Sequence, residues 1–511
     1  MIRRGMVVLL ALMCVSLLAS NGSQIGTVGA RSTAMGSAFV GLADDWSALF
    51  FNPAGLTQLN GTTIGISYAL ITPDGTYKPN ALKGPSFSGL SLQANALEDQ
   101  TFHVPAISLF FQPAEKLTVG LGLFAPFGLG ANFDLYDVPP GYQGEASTTL
   151  NGEKSYETGS DHEVVFVQPT VAYELMEGVS LGLGVGYTQR GKLELSEINA
   201  PLYSDLAGDP ALDMLFDLLS ASGVMNEDHR RIITQTELTG KGSSWNFNLG
   251  IHVDVNDWIS VGASAKIYQD LKLEGTLTQT AHYPGLTDEA YTMDSTAIAQ
   301  YVATAFTGSP DSLAYLALLQ DGLLRAFPGV SGNSKSHAEA NLPLPSSYSF
   351  GLALKPIKGL TLTLSETFTQ WSAWDEVEIK LQRQSEFSSV AMHLGWEDTW
   401  ETAVGAEYRV LDTDNLKLDI RGGFYMVASP VPDETMSPTL LDPNDRTVMT
   451  AGLGIGYGHL QLDIAYEMVT MGERNVSDYT WDEDLPSLNE NYAGLYDMSA
   501  NVLTFGLTFT R

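Results

Sequence analysis

Cysteine is almost missing from this chain. Cys14 is the single one in 511 residues and lies inside an N-terminal apolar run, so neither a disulfide framework nor a cysteine-based metal site is available to the remainder. Charge is sparse as well, at 17% of residues, too little for salt-bridged helix faces throughout. Basic residues are the scarcer kind: 26 Lys and Arg against 59 Asp and Glu leave a formal charge of -33, which excludes electrostatically driven nucleic-acid binding. In solvated loops, divalent cations could offset such an excess. Beyond the N-terminal run, no apolar stretch is long enough and uncharged enough for a transmembrane helix. Enzyme signatures are missing: there is no His-Glu-x-x-His, no Gly-x-Ser-x-Gly, no Walker A sequence and no dinucleotide fingerprint. Asp412-x-Asp414 resembles the start of a calcium loop, but Lys417 stands where the turn glycine belongs, so a tight turn is expected. The eight His residues show no ligand spacing, and no cofactor is expected. A Ser/His pair needs no sequence adjacency, so a barrel esterase stays open.

What is present is a β-rich composition. Mean hydropathy is +0.01, with 50 Gly and 21 each of Tyr and Phe. Arg3 and Arg4 precede the apolar run Met6 to Leu18 and polar Ser20 to Ser23, a secretory signal pattern with cleavage expected between Ser20 and Ser23. Period-two segments then recur almost to the C-terminus. Ile64, Ile66, Tyr68 and Leu70 alternate with Thr63, Gly65, Ser67 and Ala69, and similar runs lie at Leu117 to Phe127, Val179 to Thr188, Trp258 to Tyr268, Leu360 to Thr369, Leu460 to Met468 and Val502 to Thr508. The second face is mostly Gly, Ser and Thr. A soluble sandwich turns its apolar face inward, whereas a membrane barrel turns it outward to lipid. Short links, as at Met176 to Gly178 and Tyr457 to His459, alternate with long acidic insertions, the turn asymmetry of an outer-membrane barrel. Trp245, Trp258, Trp371, Trp374, Trp396 and Trp400 lie at strand ends and fit an interfacial girdle, the alternative being scattered core aromatics.

Two insertions carry helical spacing. Asp209-Pro210 opens a stripe of Leu212, Leu215, Phe216 and Leu219, and Ser309-Pro310 opens one carrying Leu316, Leu319 and Leu323. Such stripes either bury on each other or form an apolar landing surface.

One strand pattern is interrupted. Leu121-Gly122-Leu123-Phe124-Ala125 begins as a clean strand, yet Pro126 cannot donate to a ladder. Gly128 and Gly130 add freedom for a kink. Pro126, Phe127 and Gly128 are therefore expected at a local separation in the wall, the alternative being that Pro126 ends the strand at the rim.

The stretch around which the chain is organised runs from Ala30 to Leu56. Small residues at Ala34 to Ala38 lead to Ala43-Asp44-Asp45 and then Asn52-Pro53-Ala54-Gly55. Asp44, Asp45 and Asn52 are acceptors for free backbone N–H groups, and Pro53 stops a helix. These three parts resemble the N-terminal hatch of the FadL family of outer-membrane transporters for long-chain fatty acids and other hydrophobic molecules. Gln168-Pro169-Thr170-Val171-Ala172-Tyr173, Leu344-Pro345-Ser346-Ser347-Tyr348, Thr369-Gln370-Trp371-Ser372-Ala373-Trp374 and the order Arg421-Gly422-Gly423-Phe424-Tyr425, Ser429-Pro430-Val431-Pro432, Pro443-Asn444-Asp445-Arg446 are similar to further segments of that family.

The resemblance implies an all-β transmembrane β-barrel of about fourteen antiparallel strands, an even number as such barrels have. It places a signal peptide at 1–22, a hatch or plug at 23–60 with Asp44, Asp45, Asn52, Pro53 and Ala54, and the barrel at 61–511. The extracellular loops would be partly helical at about 196–240 and 277–343. The function implied is passive uptake: capture on the external stripes, passage into a plugged lumen and lateral release at the kinked third strand when Asn52-Pro53-Ala54 shifts. Arg421 is a candidate partner for a ligand carboxylate if it faces the lumen, or else a structural ion pair with the hatch. Expected partners are a long-chain fatty acid or other hydrophobic ligand, outer-membrane lipid and lipopolysaccharide, and the barrel-insertion machinery, with the protein a monomer. The family usually ends on an aromatic residue, whereas this chain ends Phe509-Thr510-Arg511. The alternative function is a barrel lipase or an adhesin without transport.

Overall fold

Period-two patterning with one apolar face has a simple solution when the sheet closes on itself: no edge remains, and every backbone group inside lipid finds a partner. The computed structural model describes residues 26, 28–79, 91–92, 95–97, 99–134, 136–137, 157–199, 233–282, 331–383, 386–438, 443–476 and 493–511. They form a closed antiparallel barrel of 14 strands. In chain order these are β1 (Thr62–Pro79), β2 (Phe102–Ala114, continued above by Asn95–Ala96), β3 (Leu117–Asp134), β4 (Glu157–Met176) and β5 (Val179–Asn199). Then follow β6 (Ile233–Ser243 and Trp245–Asn256), β7 (Ile259–Tyr268 and Leu271–His282), β8 (Ser331–Leu342 and Ser347–Ile357), β9 (Leu360–Thr369 and Glu376–Arg383) and β10 (Glu386–His393 and Thr399–Asp412). The last four are β11 (Leu416–Val427), β12 (Arg446–Tyr457), β13 (Leu460–Val476) and β14 (Gly494–Thr510). The ring closes where Thr63 to Pro79 pair with Thr510 to Gly494. Outside it, Ser91–Leu92 pairs with Tyr136–Asp137. The signal segment and the stripes Leu212, Leu215, Phe216, Leu219 and Leu316, Leu319, Leu323 lie outside the described residues.

Below a common level the alternation has the outward-apolar sense. Ile64, Ile66 and Tyr68 on β1 are exposed, as are Leu460, Leu462 and Ile464 on β13, while Ser67 and Asp463 between them face in and are buried. Short turns such as Ala114 to Leu117, Met176 to Val179 and Tyr457 to Leu460 mark one end. Asp412 to Leu416 is also such a turn, closed by Thr413 N–H donating to Leu416 O at 3.0 Å.

The level where this sense ends is visible in the ladder. Five neighbouring strands break at the same height, at Ser244, Gln269–Asp270, Pro343–Ser346, Gln370–Asp375 and Leu394–Asp398. Above the breaks the faces invert: Lys272, Glu274, Glu378 and Lys380 are exposed, and Leu271, Leu273, Ile379 and Leu381 are buried. An outward row of charges cannot face hydrocarbon, so the breaks mark the outer edge of the lipid band.

The tryptophans fall into an exposed and a buried set, with Trp258 in a short turn at the other end and the rest near this boundary, which corrects the expectation of a six-membered girdle. Trp245, Trp258 and Trp400 are 46%, 51% and 56% exposed, whereas Trp371, Trp374 and Trp396 are only 4%, 3% and 2% exposed. The buried three come from the interruptions of β9 and β10 and stack on one another, with Trp374 and Trp396 ring centroids 4.5 Å apart. A strand-end aromatic faces lipid only where the strand continues in the wall; these rings leave the ladder and pack inside it.

Candidate functional site: hatch, cavity and wall opening

The hatch is built from two short helices, α1 (Ala30–Ala34) and α2 (Ala48–Phe51), and a 3-10 turn, Pro53–Gln58. None is long enough to be stable alone. Side chains therefore hold each end. Asp45 Oδ1 accepts from Ser47 N–H at 2.8 Å and from Ser47 Oγ at 2.6 Å, opening α2. The last carbonyls of α2 are taken up by the wall, with Gln168 Nε2 and Asn248 Nδ2 donating to Leu49 O at 2.9 and 3.0 Å. Asn52 Oδ1 accepts from Ala54 N–H at 3.2 Å, and its Nδ2 donates to Val40 O and Ile251 O, each at 3.0 Å. Pro53 opens the 3-10 turn, where no N–H is needed.

The small inner face of the barrel now has a cause. A Cβ on Gly182 would stand 2.3 Å from Pro53 C and Ala54 N, and one on Gly423 would stand 2.3 Å from Gly36 N. Asn52, Pro53 and Ala54 thus lie on the glycines of β5 and β6, and the bend at Gly36 lies on β11. Two hatch residues meet β3: a Cβ on Gly120 would stand 3.2 Å from Leu49 Cδ2, and the Phe50 ring sits 5.2 Å from that of Phe124.

Beneath the hatch runs a chain of ion pairs. Arg31 Nη1 donates to Asp44 Oδ1 at 2.6 Å, and Arg31 Nε donates to Glu407 Oε2 at 2.8 Å. Glu407 accepts again from Arg421 Nε at 2.6 Å, and Arg421 Nη1 donates to Asp463 Oδ1 at 2.7 Å. Burial works against the Arg31 charge, but Asp44 and Glu407 outweigh it and hold its pKa above the ordinary value. For Asp45, burial pushes the carboxyl up despite Arg31 and the Ser47 hydrogen bonds. Arg421 faces inward and is buried, and its donors are engaged by Glu407, Asp463 and Asp419. Through Glu407 and Arg31 it joins the wall to the hatch.

Above the hatch lies a small cavity of about 80 Å3, partly open. Phe50, Phe51, Val40, Trp371 and Tyr268 give it apolar walls, and Ser347, Ser349, Thr367, Thr369 and Thr399 a polar one. Three charges reach it: Lys266, Glu401 and Arg446. Lys266 is 9% exposed, its Nζ stands 4.1 Å over the Phe50 ring, and no carboxylate lies within ion-pair distance among the described residues. A buried cation packed on the Phe50 and Phe51 rings, with Glu401 in the same cavity but not in ion-pair contact, is costly, and such residues mark ligand or ion sites inside membrane proteins.

Pro126 lines the same cavity, at the point where β3 leaves the wall. The β2–β3 ladder ends at the pair Ile107 and Leu123. Beyond it, Phe102 to Ala106 pair only with β1, while β3 continues against β4 with a register shift between Phe124 and Phe127. From Phe124 to Gly128 successive residues are all buried, so the strand has no lipid face there. It runs inward, and Phe127 reaches Tyr268 on β7, ring centroids 4.9 Å apart. Beyond Ile107 and Leu123 the facing sides of β2 and β3 are therefore not paired with each other.

Sequence reasoning passed over Arg31, Glu407 and Lys266. Arg31 and Lys266 each had a signal. Arg31 is the only basic residue among 26–60, and Lys266 stands on the inward phase of its strand with Ser260, Gly262 and Ser264.

A family profile described as outer membrane protein transport protein (OMPP1/FadL/TodX) matches residues 12–510. Putative outer membrane protein NMB0088 of Neisseria meningitidis serogroup B is 22% identical over 470 residues, covering 89% of this chain and 87% of that protein. Among solved structures, a Pseudomonas aeruginosa FadL homologue superposes with a TM-score of 0.67 at 18% identity, covering 96% of this chain and 99% of its own. The Pseudomonas putida toluene transporter TodX gives 0.62 at 15% identity, covering 97% and 99%.

Proposed function

Because the chain belongs to the outer membrane protein transport family (OMPP1/FadL/TodX), a family of outer-membrane barrels that carry hydrophobic compounds, we propose that it takes up long-chain fatty acids or related amphiphiles and is not itself an enzyme. The observation that carries this reading is the cavity above the hatch, apolar on one side and holding Lys266 with no carboxylate in ion-pair contact among the described residues. A hydrocarbon needs only the apolar walls, whereas a ligand carboxylate gives Lys266 the contact partner that Glu401 is not. Arg421, with three carboxylates already, is assigned instead to holding the hatch. Capture begins outside, on Leu212, Leu215, Phe216 and Leu219 with Leu316, Leu319 and Leu323, and release is lateral, past Pro126, Phe127 and Gly128 into the membrane. The protein works as a monomer.

Uptake of labelled oleate by cells carrying the protein, with a lipase assay on the purified barrel, tests the proposal. Uptake without hydrolysis is expected; hydrolysis without uptake would sink it in favour of a lipase. Changing Lys266→Met should weaken oleate binding by roughly tenfold or more, since a hydrogen bond to a charged group contributes about 1.5–3 kcal/mol. Binding of a neutral alkane should stay the same; equal loss for both would mean that Lys266 only shapes the cavity. Capture is read separately: the triple change Leu212→Ser, Leu215→Ser and Leu219→Ser should raise the oleate concentration needed for half-maximal uptake. Apolar area contributes about 25 cal/mol per Å2. An unchanged concentration dependence at normal expression would reduce the stripe to packing.

A further inference from the structure

The opening between β2 and β3 has a frame made by two residues outside the kink. In an antiparallel ladder, hydrogen-bonding groups alternate between the two neighbours. Pro105 pairs with Tyr68 of β1 but has no N–H, so this is a non-hydrogen-bonded pair and the Pro105 nitrogen points to the β3 side. Of Phe102 to Ala106, only His103 and Pro105 then direct backbone groups at the opening, and His103 alone offers a donor. Proline at this place lowers the number of unpaired donors inside the wall and takes away one ladder bond that a straightened β3 would otherwise make with β2. The lower limit is the pair Ile107 and Leu123. The upper limit is a side chain: Gln100 Nε2 donates to Gly130 O at 2.9 Å, tying the approach to β2 onto β3 above the gap. Five residues at about 3.3 Å each give an opening roughly 17 Å tall.

We infer that Pro105 and Gln100 fix the width and height of this opening and so set the largest molecule that can leave through it. The inference rests on lateral release as proposed above. Both residues act through the wall, as positioning residues, and neither lines the cavity described above.

The test uses the full-length protein with Pro105→Val and, separately, Gln100→Ala, and two probes, oleate and a pyrene-tipped fatty acid. Backbone amide exchange over His103 to Ile107 and Phe124 to Phe127 reports the opening itself. Pro105→Val should slow this exchange and cut pyrene-probe uptake by roughly fivefold, the effect of one added ladder hydrogen bond of about 1 kcal/mol, with oleate less affected. Gln100→Ala should speed exchange near Gly130 and raise pyrene-probe uptake relative to oleate. Unchanged exchange in both variants would overturn the framing role. Altered exchange with an unaltered ratio between the probes would overturn the size limit while leaving capture and cavity binding, read by Lys266→Met, intact. A wild-type protein that moves neither probe overturns the transport reading and this one with it.

Discussion

Changing Glu407→Ala is expected to unseat the hatch while leaving the barrel closed. Glu407 is buried and accepts from both Arg31 and Arg421, so its removal leaves two arginines facing each other with one shared counter-charge gone. Breaking a buried pair by deleting one partner costs about 3–5 kcal/mol, which exceeds what the short helices α1 and α2 can contribute alone. The barrel ladder is untouched, because pairing of Glu407 with Arg421 in β10 and β11 is through the backbone. The expected readouts are entry of hydrophilic antibiotics too large for an intact outer membrane and a lower thermal midpoint for the hatch transition. Arg31→Met is expected to act more weakly, since Glu407 keeps Arg421. If Glu407→Ala cells stay as impermeable as wild type, the ion chain is not what seats the hatch.

This chain of charges also shows where sequence reading stops. The barrel was legible because alternation is local: Ile64, Ile66 and Tyr68 against Gly65 and Ser67 specify two faces without knowledge of any neighbour. The hatch was legible for the same reason, since Asn52-Pro53 sets its own turn. Arg31 and Glu407 are 376 residues apart, and what joins them is the closure of the barrel around the plug. Register across distant strands cannot be read from either segment alone. The tryptophans failed for a related reason. Trp371 and Trp400 look alike at strand ends, and only the interruptions of β9 and β10, side by side in the wall, turn one inward and leave the other outside. Lys266, like Arg31 itself, could have been singled out. A lone cation on the small-residue face of a strand is visible in sequence, although its distance from Phe50 is not.

Straightening β3 is expected to abolish uptake without abolishing binding. Pro126→Val restores a donor, and Gly128→Ala removes freedom that the bend uses, so both favour a ladder running on past Leu123 to the rim. At present Ala125 and Pro126 fall in the register shift between Phe124 and Phe127, and each restored ladder bond adds about 1 kcal/mol toward the straight form. The doubly substituted protein should fold, retain oleate in its cavity through Lys266 and deliver little of it to the cell. A reversible version uses the contact between hatch and strand. Phe50 and Phe124 have ring centroids 5.2 Å apart, so Phe50→Cys with Phe124→Cys places two thiols on facing side chains, and oxidation together with a short dithiol spacer can tie α2 to β3 through two mixed disulfides. If ligand passes between them, uptake should stop on oxidation and return on reduction, and the second half of that cycle separates blockage from misfolding. Full uptake by the straightened protein and by the oxidised one would place the exit elsewhere in the barrel.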